Sequence, residues 1–166
     1  MSNDSNTPAF VWKADLYKAF FDHILAPLPP IEKDKVWHHF LEHCESYDGV
    51  PNGIHAACVQ LDMKKFWIFM QVDWKATDEI EWQANSIART HGIEDTFSLP
   101  GEFRATDGVG EGIKLFDNWL QERNHKFIWY DPGHDSYYGF VSKLENVDEL
   151  IGFATSDELP LMRNPL

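Results

Sequence analysis

The stretch KFIWYDPGHDSYYGFVSK, residues 126–143, decides the fold class of this chain. Two runs rich in aromatic and β-branched residues, 126–131 and 136–143, flank the polar segment PGHD. Such runs favour strands, and proline and glycine between them favour a turn. The stretch therefore predicts a hairpin of two antiparallel strands.

A third strand is predicted at residues 66–74, where only two of nine residues are polar. Nearly continuous apolar character is typical of a strand covered on both faces, so we expect a central position in the sheet. Beyond it, Asp78 and Glu81 have the D-x-x-E spacing of a helix cap, and Gly92 marks a helix end. These residues predict a helix directly after the strand.

Five further helices are predicted from apolar residues at helical spacing. They cover residues 11–26, 31–46, 54–63, 109–123 and 147–155, and the prolines of PLPP (27–30) separate the first two. For 54–63 a strand is the alternative that the residues leave open. Asn146 and Glu149 are predicted to cap the last helix, and residues 98–112 to form a long polar loop.

The fold class that follows is α+β. We expect a small, mainly antiparallel sheet of three to four strands packed with about six helices. Residues 9–166 are predicted to form a single domain, preceded by a flexible segment at 1–8. An aromatic content of 14% supplies the material for a substantial core.

The composition predicts a cytoplasmic protein without membrane contact. No apolar run approaches the roughly 20 residues that span a bilayer. The amino-terminal MSNDSNTPAF lacks the basic region and apolar core of a secretion signal. Cys44 and Cys58 are too few for a disulfide scaffold, so reduced thiols are expected.

Net charge is the strongest bulk signal in the sequence. Asp and Glu total 27 against 14 for Lys and Arg, which gives −13 at neutral pH. An excess of this size repels nucleic acid and anionic lipid and speeds encounter with a basic protein. A negative surface that only keeps the protein soluble is the alternative explanation.

Four carboxylates lie at the turn between the strand and the helix that follows: Asp73, Asp78, Glu79 and Glu81. Converging carboxylates act as general acids and bases or bind divalent cations. Each residue also has a local explanation, because Asp78 is placed as a cap and the glutamates face the positive end of the helix dipole. We favour the local explanation.

His39 and His43 stand four residues apart on one predicted helix, a spacing at which two imidazoles share a metal. The metalloprotease pattern requires glutamate immediately after the first histidine, and Phe40 occupies that position. A metal-binding protein or hydrolase that uses these histidines and nearby carboxylates remains an alternative. Our prediction is that the protein has no metal and no cofactor.

The hairpin turn carries Asp131, His134 and Asp135. Aspartate commonly bonds to the backbone at a turn, so the simplest interpretation is structural. Flanking tyrosines also suit a protein-binding tip, because tyrosine offers a large contact area with few rotatable bonds. Acid–base catalysis at this turn is a third interpretation.

Motifs of common enzymes and nucleic-acid-binding proteins are absent from the sequence. It has no phosphate-binding glycine loop, no G-x-S-x-G elbow, no C-x-x-C and no H-E-x-x-H. Basic residues are dispersed and form no aromatic-interleaved patch. The sequence therefore favours a protein that is not an enzyme and does not bind nucleic acid.

Three segments carry a likeness to a known family: VDWKATDEIEWQANSIARTHGI, KLFDNWLQERNH and KFIWYDPGHDSYYGFVSKLENVDELIGFA. Over about residues 65–155 the chain resembles a bacterial family of unknown function, the one numbered 6630. The resemblance implies a strand that ends in a D-x-K turn, a helix, and a later hairpin with an aspartate-rich turn. It implies no catalytic residues. In general type the chain is also similar to immunity proteins that neutralise toxins of competing bacteria.

We therefore predict a non-enzymatic binding protein with a basic protein partner, and specifically an immunity protein that blocks a nuclease-like toxin domain. A regulatory domain of another role is the remaining alternative. We expect one of the two adjacent tyrosines to face outward, since side chains alternate along a strand. The predicted contact residues are Asp73, Asp78, Glu79, Asp131, His134, Asp135, Tyr137 and Tyr138.

Overall fold

The computed structural model describes residues 14–46, 54, 57, 66–154 and 159–164. Its helices are α1 (Ala14–Ile24), α2 (Pro30–Ser46), α3 (Ile80–Thr90), α4 (Val109–Gln121) and α5 (Val147–Gly152). Its strands are β1 (Phe69–Asp73), β2 (His125–Tyr130), β3 (Ser136–Lys143) and β4 (Leu161–Met162). Short 3-10 turns at Thr77–Glu79, Ala105–Asp107 and Leu144–Asn146 precede α3, α4 and α5. The α+β class is confirmed.

The four strands form one antiparallel sheet in the order β1-β3-β2-β4. The predicted hairpin is confirmed: β2 pairs with β3 from His125 opposite Lys143 to Tyr130 opposite Tyr138. The short strand β4 pairs with β2 through Met162 and Leu161. The sequence did not predict β4, because two residues are too few to show an alternating pattern.

Helices cover both faces of this sheet. On one face Phe20 of α1 packs edge-on against Phe140 of β3, with ring centroids 5.6 Å apart. On the other face Phe116 of α4 packs against Phe127 of β2 at 6.3 Å. Each face carries its own buried cluster of apolar side chains, so the sheet is the middle layer of three.

Among the described strands β1 lies at an edge of the sheet, and its predicted central position is wrong. The predicted cover on both faces is confirmed, since Phe69 belongs to one buried cluster and Met70 to the other. Helix α3 takes the place of a neighbouring strand. The side-chain oxygen of Gln83 accepts a hydrogen bond from the Gln71 N–H at 2.9 Å, and its side-chain nitrogen donates one to the Gln71 carbonyl at 2.6 Å. The outward N–H and carbonyl of Gln71 are thereby satisfied by a side chain of α3.

The ends of α3 agree with the sequence in part. Gly92 has a left-handed φ of 74° just beyond the helix, as its position predicted. The predicted cap at Asp78 is wrong: Glu79 occupies the N-cap position, and no side chain caps the helix. Glu81 instead accepts a hydrogen bond from the Leu99 N–H at 2.6 Å and ties the following loop to the helix.

The other predicted helices are close to their observed positions. Both α1 and α2 are found, and Pro30 is the first residue of α2, where its missing N–H costs no hydrogen bond. Asn146 takes the N-cap position of α5 but makes no side-chain cap. In the predicted helix 54–63, Ile54 and Ala57 are helical, and its other residues lie outside the described part of the chain. The described residues thus contain five α-helices where about six were predicted.

Two further predictions concern residues that the structure does not describe. The predicted flexible segment at 1–8 and Cys58 both lie outside the described residues, and so does the side chain of Cys44. Within the described residues, every helix is too short or too polar to cross a bilayer.

A buried ion pair joins α4 to the edge of the sheet. Asp117 and Lys126 are each only 7% exposed, and the Lys126 ammonium donates to Asp117 Oδ2. The same carboxylate accepts the Phe127 N–H at 2.9 Å and the Gln121 amide at 3.1 Å. Asp117 therefore satisfies the backbone of β2 where β4 does not extend alongside it.

His91 at the end of α3 gives the fold a pH dependence. Burial, followed by the nearby charges of His125 and Lys143, lowers its pKa from 6.5 to about 3. Between these two values the unfolded chain holds one more proton than the native protein. Stability therefore falls by about 1.4 kcal/mol per pH unit as the pH drops below 6.5.

We expect His91→Gln to reduce this loss of stability in acid. Between about pH 7.5 and about pH 5.5, the wild-type free energy of unfolding should fall by about 1.4 kcal/mol more than that of the variant. Urea unfolding of both proteins at the two pH values measures the difference. An equal fall in both proteins would show that His91 is not the titrating group.

Candidate functional site

The two predicted contact regions come together at one end of the sheet. Strand β1 ends at Asp73, which lies opposite Ser136, the first residue of β3. This pairing places the turn after β1 beside the hairpin turn, although some sixty residues separate them in the sequence. We call this end the acidic tip; its carboxylates are Asp73, Asp78, Glu79, Asp131 and Asp135.

The first of two clefts at the acidic tip, which we call the tip cleft, has a volume of about 480 Å³. Its aromatic walls are Trp74, Trp129, Tyr130, Tyr137 and Tyr138. The hairpin turn contributes the polar residues Asp131, His134 and Asp135. Among the described residues that line this cleft, none is Lys or Arg. The tip cleft thus combines aromatic surface with acidic groups.

The second cleft, which we call the edge cleft, lies between β1 and α3 and has a volume of about 430 Å³. Trp67 and Trp82 form one wall, with ring centroids 4.8 Å apart. Asp73 and Glu79 lie in its lining, and Glu79 accepts a hydrogen bond from the Gln83 amide at 3.0 Å. Ser136 lines both clefts, so the two adjoin.

The aspartates at the acidic tip shape its turns. Asp73 accepts the Lys75 N–H at 3.0 Å, which explains the D-x-K pattern at the end of β1. Asp131 accepts the Gly133 N–H at 2.9 Å in the same manner. The expectation that aspartate at the hairpin turn bonds to the backbone is confirmed at Asp131. Their second carboxylate oxygens face an exposed surface, since both residues are exposed.

The acidic tip carries uncompensated negative charge. In the part of the chain that the structure describes, none of its five carboxylates takes part in an ion pair. Asp78 and Asp135 are exposed, and Asp78 lies outside the linings of both clefts. The nearby cation is Lys75, whose ammonium lies 4.3 Å from the centre of the Trp74 ring.

The two tyrosines of β3 lie on opposite faces of the sheet, but Tyr138 is not an exposed anchor. It is 8% exposed and stacks on Phe69 at 5.5 Å within the core. Tyr137 is half-buried beside Trp129, with ring centroids 6.2 Å apart. Helices cover both faces of the sheet, so alternation along β3 does not turn either ring freely into solvent. Both tyrosines line the tip cleft, and Tyr137 is the more exposed of the two.

Two exposed tryptophans were not predicted as contact residues. Trp74 is 53% exposed and Trp82 is 45% exposed, and they lie in the linings of the tip cleft and the edge cleft respectively. Exposed indoles of this size are unusual on a soluble surface and are typical of binding sites. Trp74 follows β1 directly and belongs to the apolar run at residues 66–74. The sequence therefore could not show that Trp74 is exposed while its apolar neighbours are buried.

The two histidines of α2 lie apart from the acidic tip. The rings of His39 and His43 are 6.2 Å apart, and His43 Nδ1 lies 2.9 Å from the His39 carbonyl. Glu42 approaches His39 at 3.6 Å. Within the described residues, no group of three or more His, Cys, Asp or Glu side chains is arranged to hold a metal ion.

Comparison with known proteins identifies a family. No curated protein and no solved structure is similar to the chain. The family described as a domain of unknown function, DUF6630, matches residues 32–164. This match is longer than the resemblance noted in the sequence and extends from α2 to β4. Because it covers most of the chain, the protein belongs to the DUF6630 family.

Proposed function

We propose that this protein is a non-enzymatic binding protein whose acidic tip docks on a basic protein. One observation carries the proposal: carboxylates from two distant segments converge at one end of the sheet, beside two exposed tryptophans. If the negative charge served only to keep the protein soluble, the carboxylates would not need to converge at one end of the sheet. Tryptophans that border clefts supply the apolar contact that a charged surface alone lacks.

Electrostatics explains how such a surface finds its partner. The chain carries a net charge of −13, and the acidic tip adds a local excess without ion pairs among the described residues. Complementary charge raises the rate of encounter and orients the two proteins before contact. Exposed carboxylates act mainly on the association rate, whereas the tryptophans limit dissociation.

The finer proposal is an immunity protein in bacteria. A toxin domain that cleaves nucleic acid presents Lys and Arg to bind phosphates. An acidic protein that covers those residues blocks the substrate and inhibits the toxin. We expect the purified partner by itself to cleave nucleic acid, and to lose this activity when equimolar wild-type protein is added.

The proposal predicts capture of a basic protein through the acidic tip. Immobilised wild-type protein, exposed to lysate of its native cells, should retain a basic protein at low salt and less of it at about 0.15 M salt. The variant Asp73→Asn/Asp131→Asn/Asp135→Asn should retain little. Asparagine preserves the turn hydrogen bonds, because its carbonyl accepts the same N–H groups.

A matched control variant shows whether capture of the partner depends on the charge of the acidic tip or on the total charge of the protein. Glu94→Gln/Glu122→Gln/Glu145→Gln also removes three charges, from exposed residues that follow the far ends of α3, α4 and β3. We expect it to capture the partner as the wild type does. Recovery of no basic protein by the wild type, at low salt as well as at physiological salt, would refute the proposal.

A further inference from the structure

We propose that the tip cleft receives the guanidinium of a single arginine side chain from the basic partner. This inference rests on the proposed function and names the group that the acidic tip recognises. It follows from the joint presence in one cleft of an aromatic lining and two aspartates.

The aromatic walls suit a planar cation. Five of the residues that line the tip cleft are Trp or Tyr, of which Trp74 is exposed and Tyr137 is half-buried. The faces of such rings attract cations within about 6 Å. The protein already makes this interaction in its own fold. The Arg123 guanidinium lies 4.0 Å from the centre of the Trp119 ring on α4, and the Lys75 ammonium lies over Trp74.

The charged lining favours arginine over a neutral ligand. Asp131 and Asp135 lie in the cleft, and the described lining contains no Lys or Arg to neutralise them. One Asp131 oxygen is held by the Gly133 N–H, which fixes the carboxylate and leaves the other oxygen to accept a bond. A guanidinium offers five donors in a planar fork and stacks on aromatic rings, whereas an ammonium is a compact and strongly hydrated charge.

The cleft is large enough to admit a side chain. A volume of about 480 Å³ lies within the usual range of small-ligand sites, roughly 300–1,000 Å³. A folded domain cannot enter it, so a partner must insert a protruding group. Lys75 lies over the ring of Trp74, which lines the cleft, and so places a like charge near an incoming guanidinium.

The test uses small probes and the whole protein. N-acetyl-arginine amide is titrated into isotope-labelled protein, and the indole N–H signals of Trp74 and Trp129 are followed by NMR. We expect saturable shifts with a dissociation constant in about the millimolar range. The citrulline analogue, which is neutral and of nearly the same shape, should bind at least about 5-fold more weakly. The lysine analogue should also bind more weakly than the arginine probe.

Opposite effects are expected from two charge substitutions. Asp135→Asn should weaken binding of the arginine probe about 5-fold, and Lys75→Gln should strengthen it about 2-fold. Trp74→Ala should also weaken binding, whereas Trp82→Ala, which alters the edge cleft, should leave it unchanged. Equal binding of the arginine and citrulline probes would overturn the inference. So would an affinity for the arginine probe that neither Asp135→Asn nor Trp74→Ala changes.

The outcome can be separated from that of the proposed function. If the basic partner is captured through the acidic tip but the arginine probe does not bind, only the assignment of the tip cleft fails. If the probe binds as expected and no basic partner is captured, the cleft recognises a guanidinium and the docking proposal fails.

Discussion

Asp117→Ala should lower the free energy of unfolding by about 3–5 kcal/mol. The substitution leaves the Lys126 ammonium buried at 7% exposure; among the described residues, its remaining partner is the Asn164 side-chain oxygen at 3.4 Å. It also removes the acceptor of the Phe127 N–H, a backbone donor at the sheet edge. Urea unfolding followed by tryptophan fluorescence measures the loss. The cost arises because an unpaired charge and an unpaired donor both remain buried.

A second variant tests the cause. Asp117→Leu/Lys126→Met removes both charges and should recover a large part of the lost stability, since apolar residues replace buried ion pairs at little cost. Glu111→Gln, which breaks the exposed pair with Lys114 at 3.7 Å, should cost less than about 0.5 kcal/mol. If Asp117→Ala costs no more than this exposed control, the buried pair does not anchor α4 to the sheet.

Gly139→Ala should destabilise the protein by about 3 kcal/mol. Gly139 lies in the inner strand β3, opposite Met70 on one side and Trp129 on the other. A Cβ at this position would lie 2.2 Å from Phe127 Cζ and 2.5 Å from the Ile128 carbonyl oxygen. The ring can move only at the expense of the packing around α4, and the carbonyl belongs to the sheet. Thermal and urea unfolding should show the loss.

The control for this substitution is Gly101→Ala. Gly101 is exposed, and a Cβ there meets no atom within 4 Å. The substitution should change stability by less than about 0.5 kcal/mol, or raise it slightly through the lower entropy of the unfolded chain. Phe127→Leu in the Gly139→Ala background should restore part of the stability. A Gly139→Ala protein as stable as the control would contradict the tight contact of Gly139 with Phe127.

Much of the fold was predictable because its signals are local. The hairpin follows from two aromatic runs around PGHD, and β2 and β3 end within a residue of their predicted limits. Helix α4 follows from Val109, Ile113, Phe116 and Leu120, all of which are buried. In each case the pattern of apolar residues and the turn residues predict the same element, and tertiary contacts do not change it.

Apart from the wrong cap at Asp78, the errors concern contacts between distant residues. An edge strand that is covered on both faces has the same apolar sequence as a central strand. The two differ in what lies along the outer edge, which here is the Gln83 side chain and not another described strand. The same limit applies to the site. The sequence identified acidic groups at two turns, but their meeting depends on the register that places Asp73 opposite Ser136. Tyr138 is buried where its ring stacks on Phe69, a residue far away in the sequence, and the pattern of β3 alone could not show this.

The dissociation constant of the captured partner tests the central claim most directly. It is measured for the wild type, the acidic-tip triple variant and the matched triple control, at low salt and at about 0.15 M salt. We predict that the acidic-tip variant binds at least about 10-fold more weakly, mainly through slower association, and that the control changes affinity by less than about 2-fold. Equal weakening by the two variants would show that only total charge matters, and would contradict a docking surface at the acidic tip.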